Sequence, residues 1–277
     1  MARRRSSSTK LAKQMDRHIL YQISVQDTEA ELDFVEETYR EIRGKALKSI
    51  REDFCGTANT ACDFICRKKS HKAVGVDIDT EVLNWGREHN VAALSKEQQS
   101  RLTLIEGDVL NSKTEPVQAV LAMNFSYYLF RTRETLRDYF KAARKALDKD
   151  GVLFLDAYGG HEAHMEIEEE RECETEDGQS FTYMWDQAKF NPINHHMVCN
   201  IHFKFPDGSK MKKAFSYEWR LWSLPELQEL LKEAGFKNVT VYWEGTDEDT
   251  GEGDGVYSPA TEGDADPGWV TYITAWD

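Results

Sequence analysis

Between residues 45 and 160, short apolar runs alternate with amphipathic stretches, and most of the runs stop at a small or acidic residue. Leu47–Glu52, Lys72–Asp77, Leu102–Glu106, Gln118–Asn124 and Val152–Ala157 read as strands. Asn59–Arg67, Glu81–His89 and Arg133–Leu147 read as helices, the last with Leu136, Tyr139, Phe140, Ala143 and Leu147 on one face. Upstream, Asp27 is placed to cap a helix with Glu29 and Glu31 in its first turn, where the helix dipole favours acids. Leu32, Val35, Tyr39 and Ile42 continue that helix, and Gly44 ends it. Strand–helix alternation of this kind builds a parallel sheet covered on both faces. The expected fold class is therefore α/β: a Rossmann-like, mostly parallel seven-stranded sheet with an antiparallel last strand, plus a small antiparallel β insertion.

The alternation breaks after Gly160. His161–Asp177 is acid-rich and reads as a solvated helix or loop, with Glu166–Glu170 as a solvated face. Phe181–Phe190, Met197–Phe205 and Lys210–Leu221 alternate with period two, and Pro206–Ser209 is a hairpin turn between the last two. Ser223 then caps a helix with Pro225 in its first turn and Gly235 as its stop. Val239–Trp243 and Trp269–Ala275 are the final strands. Glu244–Gly268 between them is acidic and glycine-rich and reads as a mobile loop, and Asp148–Gly151 as a turn.

The chain of 277 residues carries a formal net charge of −14, which repels phosphate backbones and attracts amines and other cations. Nucleic acid is therefore not expected as the main substrate. No apolar run reaches the roughly 18–20 residues that span a bilayer. The basic, serine-rich start, Met1–Lys10, is not followed by an apolar signal core, so a flexible tail and a cytoplasmic location are expected. The five cysteines, Cys55, Cys62, Cys66, Cys173 and Cys199, have no disulfide-framework spacing. Cys62 and Cys66 lie one helical turn apart, but too few further ligands stand nearby to hold a metal, so none is expected.

In an open parallel sheet, ligands bind beyond the carboxyl ends of the strands. The first strand ends at Glu52 and turns through Cys55-Gly56-Thr57-Ala58, where small residues allow backbone amides to approach a ligand. The second ends at Asp77, placed to accept hydrogen bonds from two ribose hydroxyls. The third ends at Gly107-Asp108 and the fourth at Asn124-Phe125-Ser126-Tyr127. This set fits an adenosine-containing cofactor. A dinucleotide is the rival, but its pyrophosphate site asks for three spaced glycines, and this turn has only Gly56.

At these residues the chain resembles the class I S-adenosylmethionine-dependent methyltransferases. Glu52–Ala58 looks like their first motif, Ala73–Asp77 the second, Glu106–Val109 the third, and Asn124–Tyr127 with Asp148–Leu155 the fourth motif and the approach to strand five. Arg51–Ala58, preceded by Tyr21–Gln26, also resembles a small-molecule-type branch of that superfamily. The resemblance implies S-adenosylmethionine as cofactor. It implies that Glu52 contacts the methionine amine and that Cys55, Gly56, Thr57 and Ala58 pass beneath that portion. Asp77 would hold the ribose, Ile78 would pack on adenine, and Asp108 with Val109 would read the adenine edge. Asn124 and Phe125 would line the sulfonium end, and Tyr21 would lie over the transfer site as part of an N-terminal lid. Phe54 and Ala58 stand where the family has glycines, and a phenylalanine there is expected to narrow the turn.

The resulting division is a tail and lid segment (1–26), a cofactor-binding core (27–160), an antiparallel insertion covering the acceptor (161–222), and a helix with a strand pair completing the core (223–277). Catalytic candidates are Tyr127 at the end of strand four, alongside Tyr128, and His161 after strand five, alongside His164. Core packing explains the tyrosines equally well, and a turn or strand surface explains His195 and His196. The expected activity is methylation of a small-molecule acceptor, an amine being favoured by the negative field. The alternatives are methylation of protein or RNA, a nicotinamide-dependent oxidoreductase, and a protein that binds the cofactor without catalysis.

Overall fold

The structure is a computed structural model and describes residues 10–247 and 250–277. Along the chain the helices are α1 (Arg17–Val25), α2 (Thr28–Arg43), α3 (Asn59–Arg67), α4 (Thr80–Gly86), α5 (Lys96–Gln99), α6 (Arg133–Ala146) and α7 (Leu224–Glu233). The strands are β1 (Ser49–Asp53), β2 (Lys72–Asp77), β3 (Leu102–Glu106), β4 (Val117–Ala122), β5 (Leu147–Gly159) and β6 (Glu168–Glu174). After them come β7 (Ser180–Asn191), β8 (His196–Lys204), β9 (Lys210–Arg220), β10 (Asn238–Thr246), β11 (Gly253–Ala260) and β12 (Trp269–Trp276). The chain divides into two compact units, one joining the residues up to Gln26 with His164–Trp219, the other joining Asp27–Ala163 with Arg220–Asp277. Among the described residues, no helix is long and apolar enough to cross a membrane.

The larger unit is built on one sheet in the order β11-β10-β12-β5-β4-β1-β2-β3. Strands β3, β2, β1, β4 and β5 are parallel, β12 is antiparallel to both β5 and β10, and β11 is antiparallel to β10. The mostly parallel α/β fold with an antiparallel last strand is thus the one expected. The caps behave as their chemistry requires. The Asp27 carboxylate accepts from the Ala30 amide, Gly44 takes φ +66° at the end of α2, and Ser223 and Glu226 form a reciprocal capping box on α7. Ile50, Leu121, Phe154, Val35, Tyr39 and Phe64 belong to one buried cluster that joins α2 and α3 to the sheet. Burial of each aliphatic or aromatic side chain there contributes about 1.5–3 kcal/mol.

Three expectations are corrected. The Glu244–Gly268 segment does not form a loop throughout. It supplies β11, whose Tyr257 lies opposite Glu244 and rests 4.6 Å from the Tyr272 ring, giving the sheet an eighth strand. Residues 248–249 of that segment, like residues 1–9 of the basic tail, lie outside the described residues. Asp148–Gly151 is not a free-standing turn; these residues already belong to β5, with a register shift against β4 between Val117 and Ala119. In the smaller unit, the acid-rich segment supplies β6, an exposed strand paired with β7. The insertion is therefore a four-stranded sheet in the order β6-β7-β8-β9. Its core of Phe181, Ile201, Phe203, Phe205 and Ala214 also takes in Leu20 of α1.

The turn after β1 is held by the end of α4 and the helical residues Arg87–Val91 that follow it. Asn90 Nδ2 donates to the Thr57 carbonyl at 2.9 Å, and a Cβ on Gly86 would sit 2.4 Å from the same oxygen. Helix propensity alone predicts that Gly86→Ala gains about 1 kcal/mol. Close backbone approach predicts the opposite: a loss of about 1–3 kcal/mol from overpacking. We expect the loss, read as a lower urea midpoint with an unchanged denaturant slope.

Candidate functional site

The first turn adopts left-handed backbone three times, at Phe54 (φ +58°), Gly56 (φ +51°) and Ala58 (φ +56°). For the two L-residues this costs about 1–2 kcal/mol each. It also explains why glycines suit these positions. Contacts on either side hold the turn: the Cys55 amide donates to Val76 O at 3.1 Å and the Ala58 amide to Cys55 O at 2.7 Å. The expectation that Phe54 narrows the turn is not met. Its ring packs against Phe130 and Tyr139, with centroids 6.0 and 5.4 Å away.

Asp77 stands at the end of β2 and reaches back to that turn. Its Oδ2 accepts from the Gly56 amide at 2.7 Å and its Oδ1 from the Asp79 amide at 2.9 Å. Burial raises its carboxyl above the usual aspartate range, against the pull of these amides. Beside it, the apolar side chain of Ile78 is 73% exposed. An exposed isoleucine next to a semi-buried acid is suited to the flat face and the hydroxyls of one nucleoside.

Glu52 is buried, and its Oε2 accepts from the Ala61 amide at 3.0 Å, so it caps the start of α3. Burial pushes its carboxyl up to about 8, despite hydrogen bonds from Ala61 and Thr60. The carboxylate is therefore held in place by the start of α3. Asp108 holds its own loop, accepting from the Leu110 amide at 2.9 Å and from Asn111 Nδ2 at 3.0 Å; Val109 is buried.

Beyond β4, Asn124 and Phe125 are consecutive left-handed residues, φ +56° and +55°. Both amides donate to the Asp156 carboxylate, Asn124 at 2.6 Å and Phe125 at 2.9 Å. Asp156 is buried and raised to about 7 by burial, again against its hydrogen bonds. Spacing along the chain carries no sign of this residue, because its partners lie some thirty positions upstream. Tyr127 is fully buried and its hydroxyl donates to the Asp156 carbonyl at 2.6 Å, which ties it to the core. Tyr128 is also buried, its hydroxyl 3.3 Å from Tyr158 O. His161 is exposed after β5.

The larger unit thus brings together Glu52, Cys55–Ala58, Asp77, Ile78, Asp108, Val109, Asn124 and Phe125 at successive strand ends. Tyr21 belongs to the smaller unit, against Phe215 at 4.9 Å. His164 and His195 also lie there, their rings 5.6 Å apart, and His196 is 3.7 Å from Glu218. Cys62 is buried and Cys66 exposed, so the two thiols do not share an environment.

One buried network was not legible in the sequence. Arg51 Nε donates to Asp53 Oδ1 at 2.6 Å, both side chains being almost wholly buried. Its two terminal nitrogens donate to Ser112 O and Val109 O, each at 3.1 Å, and the Tyr139 hydroxyl donates to Asp53 Oδ2 at 3.1 Å. Burial outweighs the Arg51 charge and raises Asp53 to about 6. Arg51→Ala leaves Asp53 buried and unpaired, and should cost about 3–5 kcal/mol in equilibrium unfolding. Replacing Arg51 and Asp53 together by Met and Leu should recover most of that loss.

Asp53, Asp156 and Glu52 share one sign of linkage. Each has a folded pKa above its ordinary value of 3.8 or 4.5, so each takes up a proton on folding. Their contribution is complete below the ordinary value and is lost as pH rises through about 6, 7 and 8 in turn. The melting temperature of the ligand-free protein should therefore fall between about pH 5 and about pH 9. Glu52→Gln should flatten the upper part of that fall.

No family model and no curated protein sequence matches the chain. Solved structures do. A S-adenosylmethionine-dependent methyltransferase from Clostridium acetobutylicum ATCC 824 superposes with a TM-score of 0.64 at 16% identity, covering 94% of this chain and 96% of its own. CalS10, an amino pentose methyltransferase from Micromonospora echinaspora, gives 0.67 at 15% identity over 94% and 96%. The sugar N-methyltransferase KedS8 from Streptoalloteichus sp ATCC 53650 gives 0.64 at 15% identity over 100% and 98%. The coverage is nearly complete in both directions, and the chain has the fold of these S-adenosylmethionine-dependent methyltransferases.

Proposed function

We propose that the chain is a S-adenosylmethionine-dependent methyltransferase that acts on a small-molecule acceptor, and that the acceptor nucleophile is an amine. The observation that carries the reading is the Asp77–Gly56 bond of 2.7 Å, which locks the end of β2 to the turn after β1, with Ile78 bare beside it. Asp77 then holds ribose hydroxyls, Ile78 covers adenine, and Asp108 with Val109 stands at the adenine edge. The Glu52 carboxylate faces the methionine ammonium, and the left-handed turn at Asn124-Phe125 lines the sulfonium end. These residues suit the two cationic centres of the group, its ammonium and its sulfonium, since Glu52 and Asp156 are buried acids.

When bound, the cofactor supplies a methyl group on a cationic sulfur, so transfer asks for alignment and needs no protein nucleophile. The chain's own task is to hold the two reactants in line and exclude water. The fold is shared with an amino pentose methyltransferase and a sugar N-methyltransferase, which favours a small amine acceptor. The formal net charge of −14 favours the same choice over RNA.

S-adenosylhomocysteine should raise the melting temperature of the full chain, and NAD should leave it unchanged. At a ligand concentration 100-fold above its dissociation constant the gain corresponds to about 2.7 kcal/mol. Asp77→Ala should remove it. Stabilisation by NAD and not by S-adenosylhomocysteine would sink the reading. Binding without turnover on any amine pool would leave a cofactor-binding protein.

A further inference from the structure

Glu31, in the first turn of α2, is a buried residue, 9% exposed, and its Oε2 makes no hydrogen bond. The charged groups that act on it are Asp156, Glu52 and Asp27, all acidic. A helix residue on the inner face of a sheet is usually apolar, and an unpartnered carboxylate there is costly unless a ligand completes it.

The surroundings are built from aromatic rings. Tyr272 on β12 is the register partner of Asp156 on β5, so the two side chains share a face of the sheet. Phe34, on the same helix as Glu31, stacks on Tyr272 at 4.2 Å, and Tyr257 lies 4.6 Å from Tyr272 on another side. Carboxylates set among aromatic rings form an environment suited to an ammonium ion.

Strand order separates this place from the cofactor. Ribose and adenine are assigned to the ends of β2 and β3, the methionine portion to β1, and the sulfonium end to β4. The next strands outward are β5 and β12, which carry Asp156 and Tyr272. A group held there stands on the far side of the transferred methyl from the cofactor.

We infer that Glu31, backed by Asp156 and walled by Tyr272 and Phe34, receives the ammonium of the amine acceptor and takes its proton. The inference rests on the methyltransferase reading above. In the step, an N–H bond of the ammonium breaks, its electron pair stays on nitrogen, and the proton bonds to the Glu31 carboxylate. Nitrogen is then neutral and nucleophilic, while the carboxylate becomes a neutral acid. Burial beside other acids raises the Glu31 carboxyl well above its ordinary range, which makes this transfer less uphill.

The test uses the full chain saturated with S-adenosylhomocysteine. The probes are a panel of aminosugars, polyamines and amino-acid amides, each paired with its N-acetyl form and titrated calorimetrically. At least one amine should bind and its N-acetyl form should not. Glu31→Gln should weaken that amine about tenfold or more, while S-adenosylhomocysteine affinity stays within about twofold, since its ammonium is assigned to Glu52. Glu29→Gln, exposed on the same turn, should change neither. In the ligand-free protein, Glu31→Leu should raise the melting temperature, because it removes an unpaired buried carboxyl. Four results would each overturn the inference: no amine bound, N-acetyl forms bound as well as amines, S-adenosylhomocysteine weakened tenfold by Glu31→Gln, or Glu31→Leu melting lower. Wild-type protein that fails to bind S-adenosylhomocysteine would instead remove the methyltransferase reading itself.

Discussion

The arrangement of the strand ends depends on one buried cation. Arg51 sits in the central strand β1, where an apolar residue would be ordinary, and its guanidinium bonds to Asp53, Val109 and Ser112. In the strand order, β2 separates β1 from β3, so Arg51 joins the loop that carries Asp108 to the strand that carries Glu52. Tyr139 of α6 completes the other Asp53 oxygen. A buried ion pair adds little net stability over apolar packing, but once formed it is costly to break, and here its donors also bond the Val109 and Ser112 carbonyls. Two of the proposed cofactor-contacting turns are thereby set relative to each other by a residue that need not touch the cofactor.

The same turns hold unfavourable backbone. Phe54, Ala58, Asn124 and Phe125 all take left-handed φ without being glycine. Each pair has its own compensation. At the first turn, the Phe54 ring is anchored by the buried rings of Phe130 and Tyr139. At the second, both strained amides donate to the Asp156 carboxylate, and charged acceptors give the stronger hydrogen bonds. Strain concentrated at two strand ends and balanced by buried groups is typical of places where backbone must meet a ligand.

Local signals account for what was legible in the sequence. β2, β3 and α3 have the bounds that periodicity and end residues predict, because strand period, a following acid and an apolar helix face are all short-range patterns. The caps at Asp27 and Ser223 and the stop at Gly44 are of the same kind. The edge strands were not legible. β6 is glutamate-rich and exposed, and β11 buries little besides Tyr257, so neither carries the alternation by which a half-buried strand is recognised. At the site, Glu52, Asp77 and Asp108 stand at strand ends and could be found there. Arg51, Asp156 and Glu31 could not, since the Arg51 carbonyl partners and the Asp156 amide partners lie dozens of residues away and the lack of a partner at Glu31 is a property of the packed fold. Glu31 in particular reads as an ordinary acid in the first turn of a helix, where the dipole alone would justify it.

Taken together, the buried acids explain why this fold carries so much unfavourable charge. Glu52, Asp77 and Asp156 lie on strands of one sheet and Glu31 on a helix packed with it, and burial raises every one of them above the ordinary carboxylate range. Simple packing would favour apolar residues at such positions, and the protein would be more stable with them. A site that must hold two cationic reactants side by side has the opposite requirement. Two like charges brought together repel, and only fixed negative groups in a poorly solvated setting can offset that repulsion without reorganising. On the proposed reading, the acids that weaken the ligand-free protein are those that would let a sulfonium and an ammonium approach each other.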